Sequence, residues 1–483
     1  MYLGIDIGTS GVKAVLVDSS QTVVGQATAP LTVQRPRPLW SEQDPRSWWE
    51  AVNRAVGQLD PGLRSAVEAV GLSGQMHGAT LLDASDAVIR PAILWNDGRS
   101  GAACAAMTEA LPELHTITGN LAMPGFTAPK LHWLREHESD AFAKVATVLL
   151  PKDYVRLLMT GDKASDMSDS AGTLWMDVGA RDWSEDVLAL TGLSRANMPE
   201  LFEGSEATGR LTQEVADSWG MGRVPVAGGG GDNAAGAVGT GTISPGDGFI
   251  SLGTSGVVFM ADESFQPNVA GAVHTFCHAL PGLWHRMSVI LSAASAVDSV
   301  ARLAGYADVA DMHSEVAEAA RPADGVVFLP YLSGERTPHN DPGAKGMFFG
   351  LSHSTTRSEL GQAALEGVAF ALADGVDGLR AAGTEIGELS VIGGGARSLW
   401  WGRVIASAAN VKLLYREAST VGPAYGAARL ARLAHAGEDP AAVCTAPAVE
   451  HVVEPDAGLL DLYARRRETF GRLYQATQHI RDN

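Results

Sequence analysis

Apolar residues alternate through Tyr2-Leu3-Gly4-Ile5-Asp6-Ile7 and again through Val12-Lys13-Ala14-Val15-Leu16-Val17, with Gly8-Thr9-Ser10-Gly11 between them. Alternation interrupted by a short Gly-rich break predicts two strands joined by a tight turn. A third strand is expected over 23–29, then a helix opening at Asp44-Pro45 and carrying Trp48 and Trp49. Residues 66–73 read as another strand, ending at the polar Gln75-Met76-His77. The strand-like run 224–227 passes straight into Gly228-Gly229-Gly230-Gly231-Asp232-Asn233, after which small residues recur at helical density from 234 to 241. The pattern then restarts, with 248–252 leading into Gly253-Thr254-Ser255-Gly256-Val257. Farther on, 360–381 predicts a long helix and 389–392 a strand opening onto Gly393-Gly394-Gly395-Ala396. Gly422-Pro423-Ala424 reads as the first turn of a small-residue helix.

The pentapeptide GTSGV thus occurs at 8–12 and at 253–257, each time at the end of an apolar strand-like run. Shared context favours an internal duplication over coincidence. It gives two related halves, 1–245 and 246–483, each presenting one Gly-Thr-Ser hairpin to a common cleft. A length of 483 residues exceeds one ordinary core and agrees with two large domains.

Composition narrows the function. With 46% hydrophobic and 19% charged residues the chain reads as soluble and globular. A net charge of −19 argues against nucleic acid and an anionic membrane surface as partners. A bound polyphosphate must then be held by backbone N–H groups, helix ends and a metal. Three cysteines, Cys104, Cys277 and Cys444, make no disulfide framework and suit a reducing compartment. The opening residues lack the basic and apolar regions of a signal peptide, and no apolar stretch is long enough to span a bilayer, so a cytoplasmic location is expected.

Two matched Gly-Thr-Ser turns, joined by a third Gly cluster at 393–395, point to phosphate binding rather than to ordinary hairpins. Lys13 stands ready to add a cation. No P-loop and no G-x-G-x-x-G occurs, which removes the commonest alternative nucleotide sites. Asp232 follows four glycines at a strand end. It reads either as the base that takes a hydroxyl proton during phosphoryl transfer or as the N-cap of the helix that follows. Asp6 reads as a Mg²⁺ organiser beside the first turn or as an outward residue of an edge strand. His77, between two glycine-flanked positions and beside a Gln without evident partner, reads as a donor to a sugar hydroxyl or as a packed residue. His274, Cys277, His278 and His285 have spacings that match no usual structural-zinc pattern.

At these residues the sequence resembles the FGGY family of carbohydrate kinases over essentially its whole length. The resemblance lies in DIGTSGVKAVLVD, PLWSEQDPRSWW, GQMHGATLLD, RPAILWNDGR, LPKDY, SDMSDSAGTLW and GGGDNAAGAVG, then in SLGTSGV, FLPYLSGERTPHNDPGAKGMFFGL, EGVAFALADG, GGGARS and VGPAYGAARLA. It implies two ribonuclease H-like, actin-type α/β lobes with a central ligand cleft. It further implies ATP with Mg²⁺, a small sugar as partner, and a homodimer as the common assembly. The implied catalytic base is Asp232. The implied sugar contacts are Met76, His77, Asp6 and Asn233, with D-xylulose as the sugar that the Met-His pair favours. The implied ATP contacts are Gly8, Thr9, Ser10 and Lys13, then Gly253, Thr254 and Ser255, then Gly394, Gly395 and Ala396. Asp6 is the implied metal organiser.

Overall fold

The computed structural model describes residues 1–323, 325–417 and 422–481; Val421, which opens the last quoted motif, lies outside them. In the first half β1 (Tyr2–Ile7), β2 (Gly11–Val17) and β3 (Val23–Pro30) form an antiparallel meander. On the other side of β1, β4 (Ala69–Gly74) runs parallel to it. Strands β5 (Ala207–Arg210) and β6 (Pro225–Ala227) extend the sheet, β6 parallel to β4 and β5 antiparallel to β6. The order is β5-β6-β4-β1-β2-β3, with the short β7 (Gly230–Gly231) beside the end of β4.

The second half repeats the plan. Strands β8 (Gly248–Leu252) and β9 (Gly256–Asp262) form the hairpin. Beyond β9 lie β11 (Trp284–Ile290) and, at the edge, β10 (His274–Cys277). Strands β12 (Glu388–Ile392) and β13 (Lys412–Arg416) run parallel to β8, and β14 (Val449–Val453) closes the far edge antiparallel. In both seven-stranded sheets the Gly-Thr-Ser sequence turns the strand that has antiparallel neighbours on one side and parallel neighbours on the other. The pentapeptide repeat is therefore matched by a repeat of topology.

Alternation along β1 sets what each face does. Leu3, Ile5 and Ile7 enter a core that includes Trp48, Ala51, Val52, Ala55 and Val56 of α1 (Pro45–Gly57). Asp44 caps α1, accepting the Arg46 N–H at 3.0 Å. Tyr2, Gly4 and Asp6 face the other way, in register with Ala69, Gly71 and Ser73 of β4. Against this face lies a helix from the chain's last quarter, with helix α2 (Asp232–Thr240) behind it. Helix α3 (Arg357–Ala381) is buried along much of its length in the second core; Thr356 and Glu359 form its capping box and start it earlier than the apolar period does. Helix α4 (Leu399–Ala409) follows β12, and α5 (Pro423–Ala436) is the helix that crosses back to the first sheet.

This crossing needs glycine at three positions. A Cβ on Gly4 or Gly71 would overlap the carbonyl oxygens of Ala424 and Ala427 in α5, and one on Gly426 would overlap that of Ala235 in α2. Sheet, α5 and α2 thus stack backbone to backbone, which fixes where α2 begins. Among the described residues no helix is long and apolar enough to cross a membrane.

Candidate active site

The first Gly-Thr-Ser turn is held from three sides. Gly8 N–H closes it on the Gly11 carbonyl at 3.0 Å. The Thr9 hydroxyl donates to Gln75 Oε1 at 2.9 Å and accepts from the Trp95 indole at 3.0 Å, while Gln43 donates to the Thr9 carbonyl at 2.8 Å. Gln43 Oε1 in turn accepts from Gln75 and from Trp48, each at 2.9 Å. Gln75 is therefore engaged at both ends of its amide, and the motifs around 43, 75 and 95 converge on one turn. Ser10 is exposed beyond them.

Strand β1 is central, not an edge, so the outward-facing reading of Asp6 fails. Asp6 accepts from Ser73 at 3.1 Å and pairs in register with Lys13 across the hairpin. Burial and the nearby Asp232 carboxylate push its pKa up to about 7, against the Ser73 hydrogen bond and the Lys13 charge.

Asp232 is the first residue of α2, and the N-cap is Gly231. The N-cap reading of the aspartate is thus off by one position. Its Oδ1 accepts from the Asn233 N–H at 2.7 Å and from the Asn233 amide at 2.9 Å. Burial lifts its pKa to about 6 even so.

The glycine loop before Asp232 is anchored by a buried ionic cluster that the sequence did not single out. Lys152 contacts Asp153 at 2.6 Å, Asp166 at 2.7 Å and Asp169 at 3.2 Å, all of them fully buried. Burial works against the ammonium, but the three carboxylates together hold its pKa above the usual lysine range; Asp169 is pushed up by burial. Arg156 donates to the carbonyls of Ala227 at 2.7 Å and Gly228 at 2.6 Å. From Asp166 the hydroxyl of Ser168 reaches the Gly231 N–H at 3.1 Å. The lysine and aspartates of the motifs LPKDY and SDMSDSAGTLW therefore position Asp232 from behind. They stand inside family-like motifs, but charged residues in a lone sequence read as solvated.

Met76 and His77 lie where Gly172 leaves room: a Cβ there would come within 2.7 Å of Met76 Cε and 2.8 Å of His77 Cε1. Met76 also packs against Gly231, next to Asp232. His77 Nδ1 is 2.5 Å from the Gly172 carbonyl, which can only accept, so the proton is on Nδ1. Burial, then the Lys130 charge, lowers its pKa to about 3. The neutral ring offers Nε2 as an acceptor, the reverse of the donor role expected from sequence.

In the second half Gly253 and Thr254 share a cavity of about 760 Å³ with Gly394 and Gly395, walled by Val297 and Trp400. This is the size of a nucleotide-scale pocket. Ser255 closes the turn through its carbonyl, which accepts the Gly253 N–H at 3.1 Å. Ala396 packs against the core beside the cavity rather than lining it. His278 and His285 are buried, neutral rings flanking Phe259, and Cys277 is buried beside them. Among the described residues no group of three or more potential ligands is placed to hold a metal.

Residues 1–239 match the N-terminal domain and residues 248–435 the C-terminal domain of the FGGY family of carbohydrate kinases. The chain is 54% identical over 478 residues to a xylulose kinase of Escherichia coli (strain K12), covering 98% of this chain and 99% of that one. It is 52% identical to a xylulose kinase of Klebsiella pneumoniae, covering 98% of each. A solved xyloylose kinase from Brucella ovis superposes with a TM-score of 0.96 at 51% identity over 99% of both chains. The xylulose kinase from Rhodospirillum rubrum gives a TM-score of 0.88 at 29% identity over 100% of both. The chain belongs to the FGGY family of carbohydrate kinases and is a phosphotransferase with two actin-like α/β lobes.

Proposed function

We propose that the chain transfers the γ-phosphoryl group of ATP to the C5 hydroxyl of D-xylulose, giving ADP and D-xylulose 5-phosphate. One observation carries the chemistry: Asp232, with its pKa lifted to about 6, opens α2 beside Met76 and within electrostatic reach of Asp6. A carboxylate of that pKa is ionised at neutral pH yet more basic than an exposed aspartate, which suits a general base. The relatives named xylulose kinase support the choice of sugar.

In this reading the sugar lies against Met76, His77, Asn233 and Asp6, and Asp232 takes the C5 hydroxyl proton as the new O–P bond forms. ATP lies across Gly8, Thr9, Ser10 and Lys13 on one side and Gly253, Thr254 and Ser255 on the other, with adenosine over Gly394 and Gly395 and Ala396 packed behind them. Asp6 would hold Mg²⁺, directly or through water. The fit rests on its hard oxygen donors and on the charge repulsion with Asp232, which a cation would relieve. Phosphate oxygens and waters complete such a shell, and the ion supplies neutralisation of the phosphate charge. Closure of the two lobes keeps water from competing as acceptor. We also place the lobe boundary near residue 245, with α5 returning to the first sheet, and the enzyme in the cytoplasm, as a homodimer.

The test is ADP release with Mg²⁺-ATP against D-xylulose, D- and L-ribulose, glycerol, gluconate and no sugar. Selective stimulation by D-xylulose is expected. Preference for another polyol overturns the substrate, and equal hydrolysis with and without every sugar overturns the kinase reading itself.

A further inference from the structure

The sugar-side cluster continues past His77. Phe126 stands edge-on to His77 at 4.9 Å and edge-on to His274 at 5.5 Å, and His274 stacks on Phe276 at 5.5 Å. His274 and Phe276 belong to β10 in the second sheet, so the cluster joins the two halves. Into it reaches Arg336, from the motif GERTPHNDP. Its Nη1 lies 3.4 Å from His274 Nε2, and its Nη2 comes within 3.7 Å of where a Cβ on Gly125 would stand.

Asn120 fixes the polarity of that contact. Its amide nitrogen donates to the carbonyls of Thr118 at 2.7 Å and Thr275 at 2.8 Å, so its oxygen accepts from His274 Nδ1 at 3.0 Å. Nε2 of His274 is then the lone-pair nitrogen, and Arg336 donates to it. A neutral ring therefore orients the guanidinium. Among the described residues no carboxylate pairs with Arg336, and His274 is its one side-chain hydrogen-bond partner. The adjacent Glu335 attracts the guanidinium through space without an ion pair, its Oε1 accepting the backbone N–H groups of Leu291 at 2.9 Å and Arg336 at 2.7 Å. Burial pushes Glu335 up to about 8, which leaves it mostly protonated at neutral pH.

A partly buried guanidinium without a counter-charge is costly unless a ligand supplies oxygens. Its flat fork suits two adjacent oxygen atoms better than one. The residues also fall in a spatial sequence: Gly231 beside Asp232, then Met76, His77, Phe126, and His274 with Arg336. A sugar with its reacting hydroxyl at Asp232 and its far end beyond His77 would face the side on which Arg336 lies.

We propose that Arg336 is a sugar-specificity residue whose free N–H groups bind the adjacent C1 and C2 oxygens of the hydroxyketone end of the substrate. The proposal rests on the reading of the substrate as a ketose. Since Arg336 comes from the second half and Asp232 from the first, a sugar so held bridges both.

The test uses the full-length enzyme and the variants Arg336→Met and Arg336→Lys, with circular dichroism and melting curves to establish that each is folded. Kinetics are taken for ATP, for D-xylulose, for xylitol (which lacks the carbonyl) and for glycerol. Loss of hydrogen bonds to a charged group corresponds to a rise in D-xylulose KM of roughly 10- to 100-fold for Arg336→Met, with kcat within about threefold and the ATP KM unchanged. The preference for D-xylulose over xylitol falls by a similar factor, and Arg336→Lys recovers part of the loss. An unmoved D-xylulose KM, or a loss in kcat alone, overturns the role of Arg336 while leaving the substrate intact. A wild-type preference for glycerol overturns the ketose reading, and the hydroxyketone ligand with it.

Discussion

Gly426 in α5 tests whether the backbone-to-backbone stack fixes the active site. An alanine Cβ there would overlap the Ala235 carbonyl oxygen and come within 2.7 Å of its carbon and 3.0 Å of Gly239 N. All three atoms are backbone of α2, so no side chain can swing away. Restoring van der Waals separation takes a helix displacement of about an ångström or more. Overpacking of this kind costs about 3 kcal/mol at the upper end of its usual range, and helix propensity returns up to about 1 kcal/mol, for a net loss of about 2 kcal/mol. For a lobe of this size that is a fall in Tm of about 4–8 °C. The control is Gly57→Ala, at the exposed end of α1 with nothing within 4 Å of its added Cβ. It keeps only the propensity gain, so its Tm holds or rises by about 1–3 °C. Differential scanning fluorimetry and sugar-dependent ADP release are the assays. Because α2 carries Asp232, kcat of Gly426→Ala falls about tenfold or more, in line with the sensitivity of catalysis to ångström-scale misplacement. If Gly426→Ala melts and turns over like wild type, α5 does not position α2 and the argument fails.

Lys152→Met leaves Asp166 buried without its cation, while Asp153 keeps Arg156 at 3.7 Å, a loss of about 3–5 kcal/mol read from urea unfolding. An unchanged midpoint would show that the cluster is not ionised. Ser168→Ala removes the acceptor of the Gly231 N–H and costs about 1–3 kcal/mol, with kcat reduced and the ATP KM unchanged; loss of ATP affinity instead would contradict its placement behind Asp232. With saturating Mg²⁺, which would keep Asp6 ionised, the sugar kcat/KM rises with pH through about 6 and then levels, because Asp232 must be ionised to accept a proton and is protonated below its raised pKa. His77, lowered to about 3, adds no limb above that value, so a limb near 6.5 that disappears in His77→Asn would refute the neutral-ring assignment.

Much of the fold was legible because it depends on local period and repeated turns. The GTSGV pair marked the two hairpins, and in both sheets the hairpin's first strand has antiparallel neighbours on one side and parallel ones on the other. Strand and helix limits moved by a few residues where caps decide them, as Thr356 does for α3. The turn that sets Asp232 at the head of α2 was legible from four glycines at a strand end, although the N-cap reading starts the helix one position late. The ionic cluster behind it was not. Lys152, Arg156, Asp166 and Asp169 look solvated until the chain is folded, since their partners lie up to dozens of residues away. The tautomer of His77 was hidden for the same reason: it is set by the carbonyl of Gly172. Arg336 was quoted within a motif but given no role, because its surroundings come from β10 and from Gly125.

Asp232→Asn decides whether Asp232 is the base for phosphoryl transfer to a sugar. The variant keeps shape and hydrogen bonding but removes the proton acceptor. Initial rates of ADP formation are measured with Mg²⁺-ATP, with and without D-xylulose, alongside ATP binding by calorimetry. Strong sugar-dependent turnover is expected in the wild type, with a loss of roughly 10²- to 10⁴-fold in the variant and ATP affinity within a few-fold. Sugar-dependent turnover within tenfold of wild type would contradict that role.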